Sequence, residues 1–246
     1  RASVAEEPRA DYLEKITGVA TFASDVEVAG MLHGKILRST LPHARIRNID
    51  VSAALSIPGV VAVLTGADLQ RLPSAANGWG LYLRDRPVIA LDTVRYVGDP
   101  VAAVAAVDEA TAEDALDAIL VDYEPLPYVT TTDEAMAQGA VLVHQEMDKL
   151  KDFYFRGEAS PVPGTNVFQH WKYASGDVEQ AFANAARVFE DAFTFPMVFH
   201  YAMEPHVCVA HWRTSALELG SGGQTPSAIQ RFCSDVLDMR LACVSA

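Results

Sequence analysis

Cysteine is scarce in this chain: Cys208, Cys233 and Cys243 are an odd number with no CxxC spacing. That excludes a disulfide framework and leaves no ligand pattern for a zinc site or an iron–sulfur cluster. The three thiols read as reduced core or interface side chains, which points to a cytoplasmic setting. Positive charge is also short: 19 Lys and Arg stand against 32 Asp and Glu, a net charge of −13, and the basic residues form no run. Nucleic acid is therefore an unsuitable partner, because its binding rests on neutralising phosphates. No apolar stretch reaches the roughly 18 to 20 residues that a bilayer-spanning helix needs. Ser221-Gly222-Gly223 lacks the Lys and the spacing of a phosphate-binding loop, and no Gly-x-Ser-x-Gly elbow occurs. Internal repeats and low-complexity tracts are absent as well. The chain opens on Arg1 rather than Met, which leaves room for a removed leading segment.

What is present is apolar material: half of the 246 residues are hydrophobic, enough for one large domain or two small ones. The chain is organised around Val94 to Val129. Gly98-Asp99-Pro100 is turn chemistry, since Gly allows positive φ while Pro fixes φ and removes a donor. Val101 to Val107 is a short continuous apolar run, as expected of a strand buried on both faces. Asp108 or Thr111 then caps a helix whose Ala112, Ala115, Leu116 and Ile119 make a core-facing stripe. Leu120 to Glu124 is extended, and two prolines end it.

Before this unit, residues 1–15 read as a charged arm. Strands are expected at Met31 to Ser39, at Ala44 to Asp50 with Ile46 and Ile49 inward, and at Val60 to Thr65 as a buried strand. Ser52 to Ser56 is a helical turn. Residues 70–86 are a loop-rich insert, whose Trp79, Tyr82, Arg84 and Arg86 are taken as ordinary surface. After the unit, Thr130 to Asp133 starts a short helix over Glu134 to Gln138. Residues 147–165, with their glycines and prolines, read as a linker between a domain at 16–146 and a region at 166–246. In that region Val167 to Tyr173 is extended, and Ser175 or Asp177 caps a helix carrying Val178, Ala181, Phe182 and Ala185. Val188 to Phe195 and Val207 to Ala210 are expected strands. Thr225 caps a last helix with Pro226 at its first position and an apolar stripe from Ile229 to Leu237. The fold class is α+β.

The strongest site candidate is Gln224, with Gly222, Gly223 and Thr225 around it. It stands on a glycine turn just before a helix N-terminus, where N–H groups and the dipole favour anionic or oxo ligands. Its amide can donate to one ligand and accept from another. The plain alternative is a capped helix with an exposed glutamine. His200, Glu204 and His206 have the residue types of metal ligands. Met203 and Pro205 between them argue against the helical face that an HExxH site requires, so such a zinc face is not available.

Three stretches carry a family resemblance. The first is Leu32-His33-Gly34-x-x-x-Arg38-Ser39 with Leu41-Pro42-His43-Ala44-Arg45-Ile46 and Ile57-Pro58-Gly59 through Leu69. The second is Tyr96-x-Gly98-Asp99-Pro100-Val101-Ala102, then Ala112-x-x-Ala115-x-x-Ala118, then Val121 to Pro127. These resemble the α/β hammerhead domain of the xanthine dehydrogenase and aldehyde oxidase family. The third, His200-x-x-Met203-Glu204-Pro205-His206 followed by Gly222-Gly223-Gln224-Thr225-Pro226, resembles the opening of that family's molybdopterin-binding domain. The resemblance implies a hammerhead domain followed by a partial, mixed α+β cofactor domain. It implies a molybdenum–molybdopterin cofactor, with Gln224 approaching the oxygen ligand of molybdenum and no metal ligand from the protein. Family chemistry is hydroxylation of an aldehyde or N-heterocycle carbon with oxygen from water, electrons leaving through 2Fe-2S and FAD on partner chains. The implied partners are an iron–sulfur subunit, an FAD subunit, the remaining molybdopterin-domain segment and a small-molecule substrate. The family's glycine-rich loop, substrate arginines and general-base glutamate lie beyond the point matching Ala246, so no catalytic residue is expected in this chain. Gly220, Asp238 and Arg240 depart from the family pattern. They keep a second reading open: a non-catalytic scaffold chain or a fragment inactive on its own.

Overall fold

The computed structural model describes residues 9–72, 78–151, 154–155 and 157–246. Its helices are α1 (Tyr12–Thr17), α2 (Ser52–Leu55), α3 (Gly66–Leu69), α4 (Glu109–Asp117), α5 (Thr132–Met136), α6 (Val178–Asn184) and α7 (Pro226–Val236). Its strands are β1 (His33–Arg38), β2 (Ala44–Asp50), β3 (Val60–Thr65), β4 (Thr93–Val94), β5 (Pro100–Ala106), β6 (Leu120–Pro125), β7 (Cys208–Arg213), β8 (Ala216–Ser221) and β9 (Val244–Ser245). They make three three-stranded sheets, ordered β1-β5-β3, β4-β2-β6 and β7-β8-β9.

The central run behaves as its composition dictates. β5 lies between two antiparallel neighbours, and Val101, Ala102, Val104 and Ala106 are buried. Small side chains let α4 settle close on the sheet through Ala112 and Ala115, both without exposed surface. Of the two cap candidates, Asp108 is used: its carboxylate accepts from the Thr111 N–H at 2.7 Å. The chain then crosses to the other sheet, so the strand–helix–strand unit staples two sheets together.

β2 resolves a puzzle of spacing. Ile46 and Ile49 both pack inward although they are three residues apart, which a period of two forbids. The register against β6 shifts between Ile46 and Asn48, and that bulge returns Ile49 to the core face. Two expectations are corrected. The arm is helical from Tyr12 in its described part, while residues 1–8 lie outside the description. β3 is an edge strand with Val61 and Leu64 exposed, because only β5 covers it. Residues 73–77 of the insert, and 152, 153 and 156 of the linker, also lie outside the described residues.

In the second region Asp177 caps α6 by accepting from the Gln180 N–H at 3.0 Å. Neither Val167 to Tyr173 nor Val188 to Phe195 forms a strand. β9 pairs in parallel with β8 and buries Val244, so the last residues are built into the sheet. At the end of α7, Asp238 takes the left-handed conformation at φ 53°. The Met239 N–H reaches the Ser234 carbonyl at 2.9 Å, and the Ser234 hydroxyl donates to the Met239 carbonyl at 2.7 Å. This is the helix stop that Gly makes without strain; with Asp it carries a Cβ penalty of about 1 kcal/mol. No helix among the described residues is long and apolar enough to cross a membrane.

Candidate functional site

β8 ends at Ser221 and α7 begins at Pro226, so Gly222, Gly223, Gln224 and Thr225 form the turn between them. A side chain at either glycine would crowd a neighbour. A Cβ on Gly222 would lie 3.2 Å from the Glu204 carboxylate, and one on Gly223 would lie 3.0 Å from Ile229 Cδ1. Glu204 is half-buried, and its Oε1 accepts from the Ala23 N–H at 3.4 Å. It therefore ties the turn to the segment that precedes β1.

Thr225 occupies the cap position, but its hydroxyl does not close on the helix, contrary to expectation. The Ala228 and Ile229 N–H groups bond to its carbonyl instead, at 3.0 and 3.2 Å. The first turn of α7 thus faces outward without a side-chain cap, with Pro226 contributing no donor. Gln224 is exposed, and among the described residues its amide has no hydrogen-bond partner. A free amide beside an uncapped helix end can offer donors and an acceptor to one anionic or oxo ligand. His200 and His206 are exposed, and no group of three His, Cys, Asp or Glu among the described residues could hold a metal ion.

The insert holds this helix, which the surface reading of Trp79, Tyr82, Arg84 and Arg86 missed. The Trp79 ring lies 6.1 Å from Phe232 of α7, and the Arg86 guanidinium lies over the Trp79 ring at 5.7 Å. Tyr154 stands edge-on to Phe232 at 5.4 Å, with Arg231 over its ring at 5.3 Å. Arg84 comes within 4.0 Å of Asp235, and Val236 packs beside Leu69 and Ile89. Two aromatics and two arginines within the eight residues from Trp79 to Arg86 were the available signal, since such side chains anchor contacts. Burial pushes the thiols of Cys208 and Cys233 up, so both stay protonated.

On the other side of the insert, His43, Arg45, Thr93, Arg95, His144 and Leu150 line a hollow of about 330 Å³. Burial, then Arg95 and Arg86, bring His144 down to about 4. Its folded value is thus below the unfolded one, so acid is taken up by the unfolded chain first. Stability is expected to fall between about pH 6.5 and 4, by roughly 1 kcal/mol at pH 5 once solvent screening is allowed for. His144→Gln should flatten that slope in urea unfolding at pH 7 and pH 5; an unchanged slope would put the acid sensitivity elsewhere.

Residues 17–127 match the model of the aldehyde oxidase and xanthine dehydrogenase a/b hammerhead domain, and residues 160–246 match that of the molybdopterin cofactor-binding domain. The chain belongs to the xanthine dehydrogenase and aldehyde oxidase family. It is 35% identical to a probable xanthine dehydrogenase subunit of Bacillus subtilis over 202 residues, 82% of this chain and 24% of that protein. It is 34% identical to the nicotinate dehydrogenase large molybdopterin subunit of Eubacterium barkeri, covering 83% of this chain and 43% of the relative. Among solved structures, quinoline 2-oxidoreductase from Pseudomonas putida 86 matches with a TM-score of 0.79 at 28% identity, over 97% of this chain and 29% of the other. The chain therefore spans about a quarter to two-fifths of the length of these family members. Its architecture is that of the family: a hammerhead domain, then the start of a molybdopterin-binding domain.

Proposed function

We propose that this chain is the opening part of the molybdopterin-binding portion of a cytoplasmic molybdenum hydroxylase, with Gly222, Gly223, Gln224 and Thr225 as its cofactor-facing turn. The observation that carries the reading is the exposed Gln224 amide, unpartnered among the described residues, beside the uncapped start of α7. The fit is chemical as well as positional. The turn presents neutral donors and one acceptor, which suit an oxo-rich group. When bound, the molybdenum cofactor would supply the two-electron acceptor for oxidation of an aldehyde or N-heterocyclic carbon, with the added oxygen coming from water.

This chain's residues would do the positioning. Gln224 would orient its amide toward the cofactor, while Gly222 and Gly223 let the backbone come close. Glu204 would hold the turn from behind through its contact at Gly222. The grip of Trp79 and Tyr154 on Phe232 would keep the helix end in place. The general base and the substrate-contacting groups would come from outside residues 1–246, and 2Fe-2S and FAD from partner chains. Reading the substrate as a heterocycle or aldehyde draws support from the relatives, whose names include nicotinate dehydrogenase and quinoline 2-oxidoreductase.

Gly220 favours a second reading, a non-catalytic assembly chain. A Cβ there meets nothing nearer than 4.0 Å, so the place where the family pattern has a large side chain is left open. Elemental mass spectrometry on the natively purified, size-fractionated protein separates the two. Near-stoichiometric molybdenum supports the enzyme, and a folded, metal-free particle supports the assembly role.

A further inference from the structure

Arg95, directly after β4, carries a positive charge that forms no ion pair with any carboxylate among the described residues. One Nη of its guanidinium donates to the Thr93 carbonyl at 3.2 Å. Its Nε is closed off from solvent and has no hydrogen-bond partner among the described residues. Asp99 accepts from the Arg95 backbone N–H at 2.9 Å and not from the guanidinium. A half-buried charge left in this state is costly, and an anion brought against it offsets that cost.

Arg95 lines the hollow of about 330 Å³ that also takes in residues 142–146 and Leu150. That volume lies in the range of small-molecule sites, roughly 300 to 1,000 Å³. His43, Arg45, Arg95 and His144 bring four basic groups to it, against one acid, Glu146, which Lys149 already holds at 2.5 Å. Arg47 holds the Glu124 carboxylate more closely than Arg45 does, which leaves Arg45 3.8 Å from it. His43 Nδ1 lies 2.6 Å from the Pro127 carbonyl, which can only accept, so Nδ1 carries a proton and Nε2 stays available. Burial, then the charges of Arg95 and Arg86, keep His144 neutral, and a neutral ring still donates through one nitrogen. Leu126, Leu142 and Leu150 supply an apolar wall. We infer that this hollow is a binding site for a small organic carboxylate, its anionic end on Arg95 and Arg45 and its apolar body against the three leucines.

Charge and lining together choose the ligand class. Two guanidiniums and a single, already paired acid give the hollow a net positive charge near neutral pH. A cation would be repelled by that charge, and a neutral ligand would leave it unpaired. The planar guanidinium meets a carboxylate through two parallel N–H···O bonds, which fixes its orientation. An inorganic anion would satisfy the arginines but leave the leucine wall uncovered. A second hollow of about 130 Å³ shares Arg95, His144 and Leu150 with the first and adds Arg84, Asp85 and Asp92. Its two acids leave the larger hollow as the seat of the anionic end. All the lining residues precede the stretch 160–246 that matches the cofactor-binding domain, so the site is separate from the Gln224 turn.

Calorimetric titration of the assembled enzyme with benzoate tests this, with benzamide as the neutral isostere and inorganic phosphate as the anion without an apolar body. Benzoate should saturate one site per hammerhead domain and bind about tenfold more tightly than either. Arg95→Gln should weaken benzoate about tenfold and leave benzamide unchanged. Arg45→Gln, at a more exposed position, should weaken benzoate about threefold, and it keeps the test open where the Arg95 variant does not fold. Equal binding of benzoate and benzamide, or benzoate binding that neither substitution weakens, would overturn the inference. Phosphate binding as tight as that of benzoate would overturn the organic class. Absence of saturable benzoate binding would also overturn it, and would make a carboxylate of the remaining polypeptide the partner of Arg95. The readout does not depend on molybdenum, so it stands or falls apart from the role proposed for Gln224.

Discussion

Gly66→Ala is expected to destabilise the hammerhead domain by about 3 kcal/mol, the upper end of the range for overpacked sites. Gly66 opens α3 and is buried. A Cβ there would sit 2.3 Å from the Ala90 carbonyl oxygen and 2.9 Å from the Leu91 Cα, and both are backbone atoms that no rotamer change can move. Relief requires shifting the Ile89–Leu91 stretch, which carries the small cluster of Leu69 and Ile89 and the contact with Val236. A domain of this size should lose roughly 10 °C in its thermal midpoint. Gly34→Ala is the matched control. Its Cβ would meet only the Val104 carbonyl at 3.9 Å, so its midpoint should stay within the roughly 0.5 kcal/mol of a neutral surface change. Equal midpoints for the two variants would show that Gly66 does not hold this contact in solution.

The second large effect is on turnover. Gln224→Ala in the assembled enzyme should lower kcat on the order of 100-fold, the usual loss when one preorganised donor is removed. Stability should barely change, because the side chain is exposed and has no partner among the described residues whose loss would be felt. Molybdenum content should also hold, since the turn's backbone and the rest of the domain remain. Full turnover at full molybdenum occupancy would remove Gln224 from the reaction. Loss of the metal together with turnover would make it a binding rather than an orienting residue.

How legible each segment is in the sequence depends on where it finds its partners. Val101 to Ala106 and the Ala112–Ala115 stripe are readable because their partners lie within the chain and small apolar residues leave few other packings. The Gln224 turn is readable as a place, since Gly-Gly before Thr-Pro starts a helix almost unaided. Its open cap is not, because whether Thr225 closes on the helix is a matter of its φ and ψ rather than its identity. The grip of Trp79 on Phe232 is hidden by distance along the chain, and exposed-looking aromatics in a loop have no period to announce their target. The alternation over Val188 to Phe195 reads as a strand, but the segment pairs with no strand among the described residues.

The loop that holds α7 also has a consequence in time. Every strand of the first two sheets lies before Leu126, so both sheets can close while the cofactor turn is still being synthesised. Trp79 then waits for Phe232 through roughly 150 further residues, which at ordinary ribosome speeds is about 7 to 30 seconds. A finished, folded template would thus receive the Gln224 helix as it leaves the ribosome.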